Sequence, residues 1–405
     1  MKRTIKLAVV AALALGATSA FATNGATMIG YGAKSFGMGG TGIGVSHGAE
    51  SALANPALIT TVAGSEVSFG GTVFMPSVSN DMGYGETDSD SDMFMIPSVS
   101  LATKVNDNFY WGIGMWGTGG LGVDYRNDAD KMYMVTALQL MQFGVPLVYT
   151  ANNFAIGVTP IVQYGSLDIQ YDDSMAFGIG STGSGVAQDL QIGYSLGLAY
   201  NTNGLTLGAV YKSEIKMDYK DVLPTAMSPF MDLSDDMMPN GTASYTNSDL
   251  SSPAEYGIGV SYKTAGHTLA IDYKNIAWED AEGYKDFDWQ DQDVIAVGYE
   301  YATSGWAVRA GYQFASSAVE AQSTAGANSI GLAGGFSNML NLLGFPGTAE
   351  SHVTVGGTYA FNEKLSLDLA YVHTLEADDT MSNGMGDVRT KHSEDAYSFQ
   401  VNFAF

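Results

Sequence analysis

The feature that most constrains the fold is the regular alternation of apolar and polar side chains, which is clearest from Tyr397 to Phe405. Every second residue there is aromatic or aliphatic, and the residues between are polar or small. Successive side chains of a β-strand point to opposite faces, so the segment predicts a strand with one apolar and one polar face. In water an exposed edge of that kind invites aggregation. A closed barrel in a lipid bilayer leaves no such edge, and we expect this fold.

The same alternation recurs along the chain and predicts an all-β fold, a transmembrane antiparallel barrel of about fourteen strands. In the segment 188–201, one face carries Leu190, Ile192, Tyr194, Leu196, Leu198 and Tyr200. The predicted strands span 65–77, 92–104, 108–124, 136–150, 153–170, 188–201, 204–219, 254–264, 266–277, 293–302, 305–316, 350–361, 364–375 and 395–405. Single-chain bacterial barrels have an even number of strands, as predicted here.

The connections between these strands alternate in length. Short turns rich in Asn, Asp and Gly lie at 105–108, 150–153, 201–204, 263–266, 302–305 and 361–364. These residue types tolerate the positive φ that tight turns require. Long connections lie at 78–91, 125–135, 171–187, 220–253, 278–292, 317–349 and 376–394. Short periplasmic turns and long extracellular loops are typical of an outer-membrane barrel, so the pattern favours that location over a soluble β-sandwich.

Composition disfavours several other classes of protein. The chain has 50 Gly, 23 Tyr and 18 Phe, only 15% of its residues are charged, and beyond the N-terminal segment no stretch is long and apolar enough for a membrane-spanning helix. Its net charge of -25 argues against nucleic acid and against a polybasic contact with anionic lipid. The chain has five His and no Cys, and these histidines do not have the spacing of metal ligands. We therefore expect no metal and no cofactor. Acidic runs near Asp90 and Asp235 lack the spacing of a defined calcium loop.

Both ends of the chain indicate export to the outer membrane. Cationic residues precede a short apolar run, 7–15, and Ala20-Phe21-Ala22 is a small-x-small cleavage site, which is the layout of a signal peptide. We therefore predict a signal peptide at 1–22, a plug at 23–64 and the barrel at 65–405. A last strand that ends in Phe405 is typical of outer-membrane barrels, and we expect the outer-membrane assembly machinery to recognise it.

Residues 23–64 precede the first clear strand and predict a compact plug inside the barrel. They contain a glycine-rich run, 32–44, and the tripeptide Asn55-Pro56-Ala57. Glycine and alanine allow backbone segments to pack closely within a lumen. A glycine-rich loop that binds a dinucleotide follows a strand and opens a helix, and this run has no such context.

The sequence resembles the FadL-type outer-membrane transporters of long-chain fatty acids and hydrocarbons. The resemblance rests on Gly-Met-Gly-Gly at 37–40, on the tripeptide at 55–57, and on the segments 211–216, 306–312 and 355–361. It implies a fourteen-stranded barrel, an N-terminal hatch that carries the Asn-Pro-Ala motif, and a lateral opening in the wall near a kinked third strand. The chain departs from the family pattern at Leu58, where Gly is more common, and in its small number of cations.

The predicted third strand, 108–124, has a composition that suits such an opening. It carries glycines at 112, 114, 117, 119, 120 and 122. Glycine weakens a strand and often marks a bulge, so we predict a kink and a hole in the wall at Gly117, Gly119 and Gly120. The alternative is that these glycines let the hatch pack against the wall.

Two of the predicted extracellular loops are unusually apolar. Segment 223–238 includes Phe230 and Met231, and segment 330–345 includes Phe336 and Leu340, with its apolar residues at roughly helical spacing. Exposed apolar patches mark binding surfaces, and Met accommodates varied hydrophobic shapes. We predict that these loops form a capture groove for an apolar molecule. The alternative is that they only pack on one another.

The alternation places four cations, Lys212, Lys216, Lys274 and Arg309, in the lumen together with several carboxylates. Buried charges are costly unless they are paired, so ion pairs within the lumen are one interpretation. The other is that Arg309, Lys212 or Lys216 receives a ligand carboxylate, which Arg can bind through two parallel hydrogen bonds. The family resemblance favours Arg309 among the three.

Together these features predict passive transport of a hydrophobic molecule, with a long-chain fatty acid as the first hypothesis and a neutral hydrocarbon or aromatic as the second. The loops capture the molecule, the lumen binds it, the hatch moves, and the molecule leaves through the wall into outer-membrane lipid. Three other classes stay open. A general porin needs a wide aqueous lumen, an enzyme needs a His/Ser/Asp cluster at one rim, and an adhesin or receptor needs only the long loops.

Overall fold

The computed structural model describes residues 24–172, 174, 180–231 and 244–405. The predicted signal peptide, 1–22, lies outside the described residues, and so do Asp235 and the rest of the apolar loop segment from 232 to 238. The described residues form a barrel and a plug that fills part of its lumen.

Fourteen long strands in the described part of the chain form one closed antiparallel sheet, which confirms the predicted barrel. They are β1 (Ser65–Asp81), β2 (Phe94–Lys104), β3 (Phe109–Leu121), β4 (Val135–Gly144 and Leu147–Ala151), β5 (Phe154–Asp172), β6 (Ala187–Thr202), β7 (Leu205–Lys212), β8 (Glu255–Thr264), β9 (His267–Ile276), β10 (Gln292–Ala302), β11 (Trp306–Ala315), β12 (Ser351–Ala360), β13 (Leu365–Ser382) and β14 (Asp387–Ala404). Strand β1 pairs with β14 from Glu66↔Ala404 to Asp81↔Arg389, and this pairing closes the sheet. Two short strands in the loops, Glu86–Asp88 and Ser181–Thr182, pair with β1 and β5.

The short connections are tight turns at one end of the barrel. Asn203 and Gly204 have φ values of 47° and 84°, and Ala265 and Gly266 have φ values of 48° and 85°. Two successive residues with positive φ give a hairpin turn whose twist matches that of the paired strands. The long connections lie at the opposite end, as the sequence predicts.

The outward side chains of the strands are apolar and accessible from outside the barrel. In β6, Leu190 and Ile192 are 61% and 79% exposed, whereas Ser195 on the inner face is fully buried. An outer-membrane barrel covers such an outer face with lipid. The aromatic pair Phe154–Tyr200, with ring centroids 4.6 Å apart, lies beside the short turns, where an aromatic girdle meets the membrane interface.

The last hairpin differs from the sequence-based expectation. A long loop was expected at 376–394, but β13 continues to Ser382 and β14 begins at Asp387. The sequence of 376–394 looks like that of a loop because the outward face of these strands carries charged residues. Here the strands project beyond the lipid, and pairs such as Arg389 with Asp378 join neighbouring strands where no apolar surface is needed.

Residues 24–62 form the plug, called the hatch below. It contains the helices Ala33–Gly37 and Ser51–Ala54 and the 3₁₀ turns Gly48–Glu50 and Pro56–Thr61. Wall glycines make room for it, since a Cβ at Gly157, Gly197 or Gly208 would collide with hatch atoms. Glycine in these strands therefore allows a close approach of two backbones.

Two short helices lie in the long loops at the opposite end of the barrel. They span Val222–Met231 and Gly334–Met339, and the second continues into a π turn, Leu340–Gly344. Two further 3₁₀ turns, Ala129–Lys131 and Tyr284–Phe287, lie in neighbouring loops. Over the ranges that the structure covers, no helix is both long and apolar enough to cross a membrane.

Candidate ligand-binding site

An apolar pocket lies between the loop helices and the inner faces of β4 and β5. Its space, including the open mouth, is about 530 Å³. Its lining includes Met134, Ile169, Leu223, Met227, Trp289 and Leu340. Polar atoms near the lining bind protein groups: the hydroxyl of Tyr171, for example, donates to the carbonyl of Ala226 at 2.7 Å. The pocket therefore offers a ligand mainly dispersion contacts and burial of apolar surface.

Of the four loop residues predicted to bind ligand, only Leu340 lines this pocket within the described part of the chain. The ring of Phe230 lies 5.4 Å from that of Tyr171 and 5.1 Å from that of Phe336, so the two phenylalanines form a layer behind the lining. Met231 is half-buried at the edge of the same core. The loops thus pack on one another and thereby build a pocket.

An aromatic cluster that sequence reasoning missed forms another wall of the pocket. The ring centroids of Trp278 and Trp289 lie 5.0 Å apart, and each lies 4.6 Å from that of Tyr284. The indole N–H of Trp289 donates to Asn341 at 3.0 Å, and Asn341 in turn donates to the carbonyl of Phe287 at 2.8 Å. Packed rings held by hydrogen bonds give a rigid apolar surface. The available signal was the density of aromatic residues in the connection 278–292.

The pocket has no charged lining residue within the described part of the chain. The loop residues outside that part, 173, 175–179 and 232–243, include no Lys or Arg. Lys216 was expected in the lumen, but β7 ends at Lys212, and Lys216 pairs with Glu282 at 3.0 Å on the surface. A ligand carboxylate in this pocket would therefore be buried without a cation, which is costly.

A crevice with four charged lining residues, Lys212, Glu255, Asp272 and Lys274, lies between the hatch and the wall. The ammonium group of Lys212 donates to the hydroxyl of Tyr31 at 3.0 Å and lies 3.4 Å from Glu255. Lys274 lies 3.2 Å from the other oxygen of Glu255. The two lysines therefore share one buried carboxylate, and a ligand acid at Lys212 would have to compete with it.

Arg309 lies near the periplasmic end of β11, close to Gly37 of the hatch. Its guanidinium lies 2.7 Å from Glu300 and 3.7 Å from Asp368. Lys34 of the hatch lies 3.6 Å from the same Asp368. Asp368 therefore links Arg309 of the wall to Lys34 of the hatch, away from the loop pocket. Capture of a ligand carboxylate by Arg309 stays a prediction.

Asn55, in the tripeptide 55–57, fixes the hatch to the wall. Its side chain accepts the N–H of Ala57 at 3.1 Å and donates to the carbonyls of Ile43 at 2.9 Å and of Leu198 in β6 at 3.1 Å. Pro56 then opens a 3₁₀ turn, at a position where its missing N–H leaves no bond unmade. The tripeptide thus caps a turn and holds a neighbouring strand at once.

Asp272 in β9 is a second anchor of the hatch. Its carboxylate accepts the N–H groups of Gly42 and Ile43 at 2.7 Å each and that of Gly44 at 3.1 Å. Successive amides that converge on one anion form a nest, which this protein fills with its own side chain. Because such bonds are charge-assisted, they are roughly twice as strong as neutral ones. The glycine-rich run is therefore held by the wall and not by a phosphate.

The wall is interrupted beside β3, where the sequence predicts a kink. Strands β2 and β3 pair only as far as Ser98↔Trp116. Strand β3 then bulges between Gly117 and Gly119 while it stays paired with β4. A bulge bends its strand and ends regular pairing on one side.

The hatch covers this interruption from inside the barrel. The N–H of Met28 donates to the carbonyl of Thr118 at 3.1 Å, and the N–H of Gly120 donates to the carbonyl of Ala26 at 3.0 Å. A Cβ at Gly119 would collide with the carbonyl of Ala26. The glycines of β3 therefore take part both in the bulge and in the contact with the hatch. The sequence analysis treated these two roles as alternatives.

Two segments match the pattern Gly-x-Ser-x-Gly, at 44–48 and 193–197, but neither has the geometry of a serine hydrolase. Ser195 is buried in the middle of β6, whereas a nucleophile elbow is a sharp turn from strand to helix. Ser46 donates to the carbonyl of Leu58 at 2.9 Å, and the neighbouring His47 binds the carbonyl of Thr41 at 2.7 Å. The histidine is therefore not oriented as a base for the serine.

The barrel with its hatch is similar to solved structures of outer-membrane proteins. The toluene transporter TodX of Pseudomonas putida has a TM-score of 0.65, with 18% identity over 93% of this chain and 99% of that one. A FadL homologue of Pseudomonas aeruginosa has 0.67, with 14% identity over 94% and 100%. The toluene transporter TbuX of Ralstonia pickettii has 0.62, with 15% identity over 92% and 98%. At these identities the likeness establishes a shared fold.

Sequence comparison gives a relative and a family. A stretch of 111 residues, 27% of the chain, is 38% identical to an uncharacterised protein from the 5′ region of a phosphoenolpyruvate carboxykinase gene of Chlorobium limicola, and this chain spans about half (54%) of that relative. Residues 7–327, most of the chain, match the family model described as outer membrane protein transport protein (OMPP1/FadL/TodX). This match and the closed barrel place the protein in the outer membrane. The chain belongs to the OMPP1/FadL/TodX family of outer-membrane transport proteins.

Proposed function

We propose that this protein carries small hydrophobic molecules passively across the outer membrane, and that neutral hydrocarbons and aromatics are its preferred cargo. The observation that carries the proposal is the uncharged pocket under the extracellular loops, about 530 Å³ with its mouth. Binding sites for small molecules are concave and mainly apolar, and this pocket has both properties. TodX and TbuX, two proteins of the same fold, are toluene transporters.

The ion pairs of the lumen cations support a neutral cargo. The sequence alone favoured a fatty acid. Arg309 is paired with Glu300 and Asp368, and Lys212 is paired with Glu255. Each cation is thus neutralised before a ligand arrives. A neutral molecule needs no counter-ion and gains about 25 cal/mol for each Å² of apolar surface that it buries.

The route we propose bends from the pocket toward the wall. The hatch blocks a straight path along the lumen, since its residues 24–62 are packed into the core of the barrel. Strand β3 is unpaired with β2 beyond Trp116, and the hatch segment 26–28 covers this gap from inside. Displacement of that segment would join the lumen to the surrounding lipid. The proposal keeps the predicted domain boundaries at 22 and 64, and residues 23–64 are the part that moves.

Uptake by cells that lack other channels of this class tests the proposal. We expect cells that express the protein to take up labelled toluene and hexadecane faster than vector controls, with little change for labelled palmitate. Palmitate uptake without hydrocarbon uptake would restore the fatty-acid hypothesis. Failure of all three cargoes to enter, with folded barrels present in the outer membrane, would overturn transport.

A matched pair of variants ties uptake to the pocket. Ala226 lines it, so Ala226→Phe fills the space without adding charge. Ala310 is exposed on the outer face of β11, so Ala310→Phe adds the same group on the lipid side. We expect the first variant to lose hydrocarbon uptake and the second to keep it. Equal uptake by both would show that cargo bypasses the pocket.

A further inference from the structure

The interruption between β2 and β3 is a window with two defined ends. At one end lies the last ladder pair, Ser98↔Trp116. At the other, the N–H of Asp90 donates to the carbonyl of Asp124 at 2.9 Å and joins the two loops above the strands. Between these ends, residues 94–97 pair with β1 alone, and Pro97 has no N–H with which to extend the ladder.

One side chain of β2, that of Ile96, lies within the window. Ile96 is 4% exposed and points toward β3. A Cβ built on Gly117 would collide with Cγ2 of Ile96 and would lie 3.7 Å from the Cβ of Ile96 and 3.8 Å from Cδ of Pro97. Ile96 therefore sits directly over the α-carbon of Gly117, in the notch that the missing side chain leaves.

Gly117 is needed here for space and not for its backbone conformation. Its φ is not positive, so an L-residue would fit the backbone and fail only against Ile96. On the outside of the window, Met93 and Met95 are 58% and 36% exposed and form an apolar rim. An apolar molecule that passes Ile96 therefore meets apolar side chains and then lipid.

We propose that Ile96, seated over Gly117, is the gate of the lateral window and sets the width of molecule that can leave. This inference rests on the proposed function and names the residue that limits it. A β-branched side chain has few χ1 rotamers, so Ile96 opens the window in discrete steps or by a shift of β2. Slim cargo passes after a small displacement, whereas broad cargo requires a larger one.

Substitutions at Ile96 test the width of the window. Ile96→Ala removes the bulk over Gly117, and we expect uptake of a broad hydrocarbon such as phenanthrene to rise severalfold relative to toluene. Ile96→Phe adds bulk at the same point and should lower the uptake of both. The same ratio of phenanthrene to toluene uptake in wild type and both variants would overturn the gate.

A reversible crosslink tests the position of the gate. The Cβ separation of 3.7 Å between positions 96 and 117 lies within the range of a disulfide, about 3.5–4.5 Å, and the chain has no Cys of its own. In the double variant Ile96→Cys/Gly117→Cys, we expect oxidation to reduce toluene uptake to the vector level and reduction to restore it. The single variants Ile96→Cys and Gly117→Cys cannot form this bond and serve as controls under the same oxidant.

The outcomes separate the gate from the transport function. Wild type that fails to take up toluene counts against the proposed function itself. Wild type that takes up toluene, with an oxidised crosslink that changes nothing, counts against Ile96 and places the exit elsewhere. If the double variant does not assemble, the comparison of Ile96→Ala with Ile96→Phe decides the question alone.

Discussion

His392 and Glu394, two residues apart on the inner face of β14, lie side by side where that strand meets a long loop. The imidazole Nε2 lies 3.2 Å from Oε1 of Glu394, and Nδ1 lies 3.0 Å from the carbonyl oxygen of Pro346. A carbonyl oxygen only accepts, so Nδ1 carries a hydrogen. The other ring nitrogen, Nε2, faces the carboxylate of Glu394, which also accepts the hydroxyl of Thr374 at 3.0 Å. The bond from Nδ1 to Pro346 holds the wall to the loop that contains Leu340 of the pocket.

The first prediction concerns the contacts of Glu394. Glu394→Gln keeps a side chain of nearly the same shape, which can accept the hydroxyl of Thr374 and donate an N–H to Nε2 of His392, so it should change the stability little. Glu394→Leu leaves His392 and Thr374 without their polar partner and should cost about 1–3 kcal/mol for each. Thermal unfolding in detergent checks both, and a Leu variant as stable as the Gln variant would contradict the role of these contacts.

The second prediction concerns Glu50 in the hatch. Burial raises the pKa of this carboxyl from 4.5 to about 8, although the charge of Lys34 acts in the opposite direction. The folded hatch then binds more protons than the unfolded chain between these two values. The contribution of Glu50 to stability is thus fully present below the lower pKa and is lost as the pH rises through the upper pKa. Glu50→Gln should stabilise the protein above neutral pH, measured as a higher unfolding midpoint than wild type, and an unchanged midpoint would show that Glu50 is already solvated.

The third prediction concerns the anchor at Asp272. Asp272→Ala removes the acceptor of the N–H groups of Gly42, Ile43 and Gly44, each hydrogen bond to a charged group contributing roughly 1.5–3 kcal/mol. Hydrogen exchange at these amides should accelerate by about tenfold or more. Asp293→Ala is a suitable control, because Asp293 is exposed and its carboxylate accepts the hydroxyl of Tyr273 at 2.7 Å on the outer face of the barrel. Equal protection of the run 42–44 in both variants would argue that other contacts hold the hatch.

The fourth prediction concerns Arg309. Arg309→Ala leaves Glu300 and Asp368 without their shared partner, and loss of one member of a buried pair costs about 3–5 kcal/mol. We expect a less stable barrel with unchanged toluene uptake for each folded molecule. Uptake is therefore normalised to folded protein, which migrates faster than unfolded protein in gels run without heating. Loss of palmitate uptake from an equally stable barrel would instead support carboxylate binding by Arg309.

The strands and turns could be predicted because they depend on local pattern. Alternation fixes which face of a strand meets lipid, and residues such as Asn203 and Gly204 favour the positive φ of a tight turn. The same reasoning failed for 376–394, since strands outside the lipid need no apolar face. It also failed for Lys216, because the alternation of β7 stops at Lys212 when the chain enters a loop.

The site was less predictable because its contacts join distant parts of the chain. The nest around Asp272 pairs a strand with amides about 230 positions earlier in the chain, and no local pattern indicates that contact. The partners of Arg309 likewise come from two other strands, Glu300 from the adjacent β10 and Asp368 from β13, two strands away. The aromatic wall at Trp278 and Trp289 was visible in composition, but its place beside Leu340 depends on how three loops fold together.

The most direct test of the account is to identify what the pocket holds. Mass spectrometry of molecules retained by the protein, after exposure of cells to mixed hydrocarbons and fatty acids, measures this without assuming a route. We predict that wild type retains neutral hydrocarbon and that Ala226→Phe, which fills the pocket, retains none. Retention of fatty acid alone, equal in wild type and Ala226→Phe, would contradict the neutral, loop-covered site.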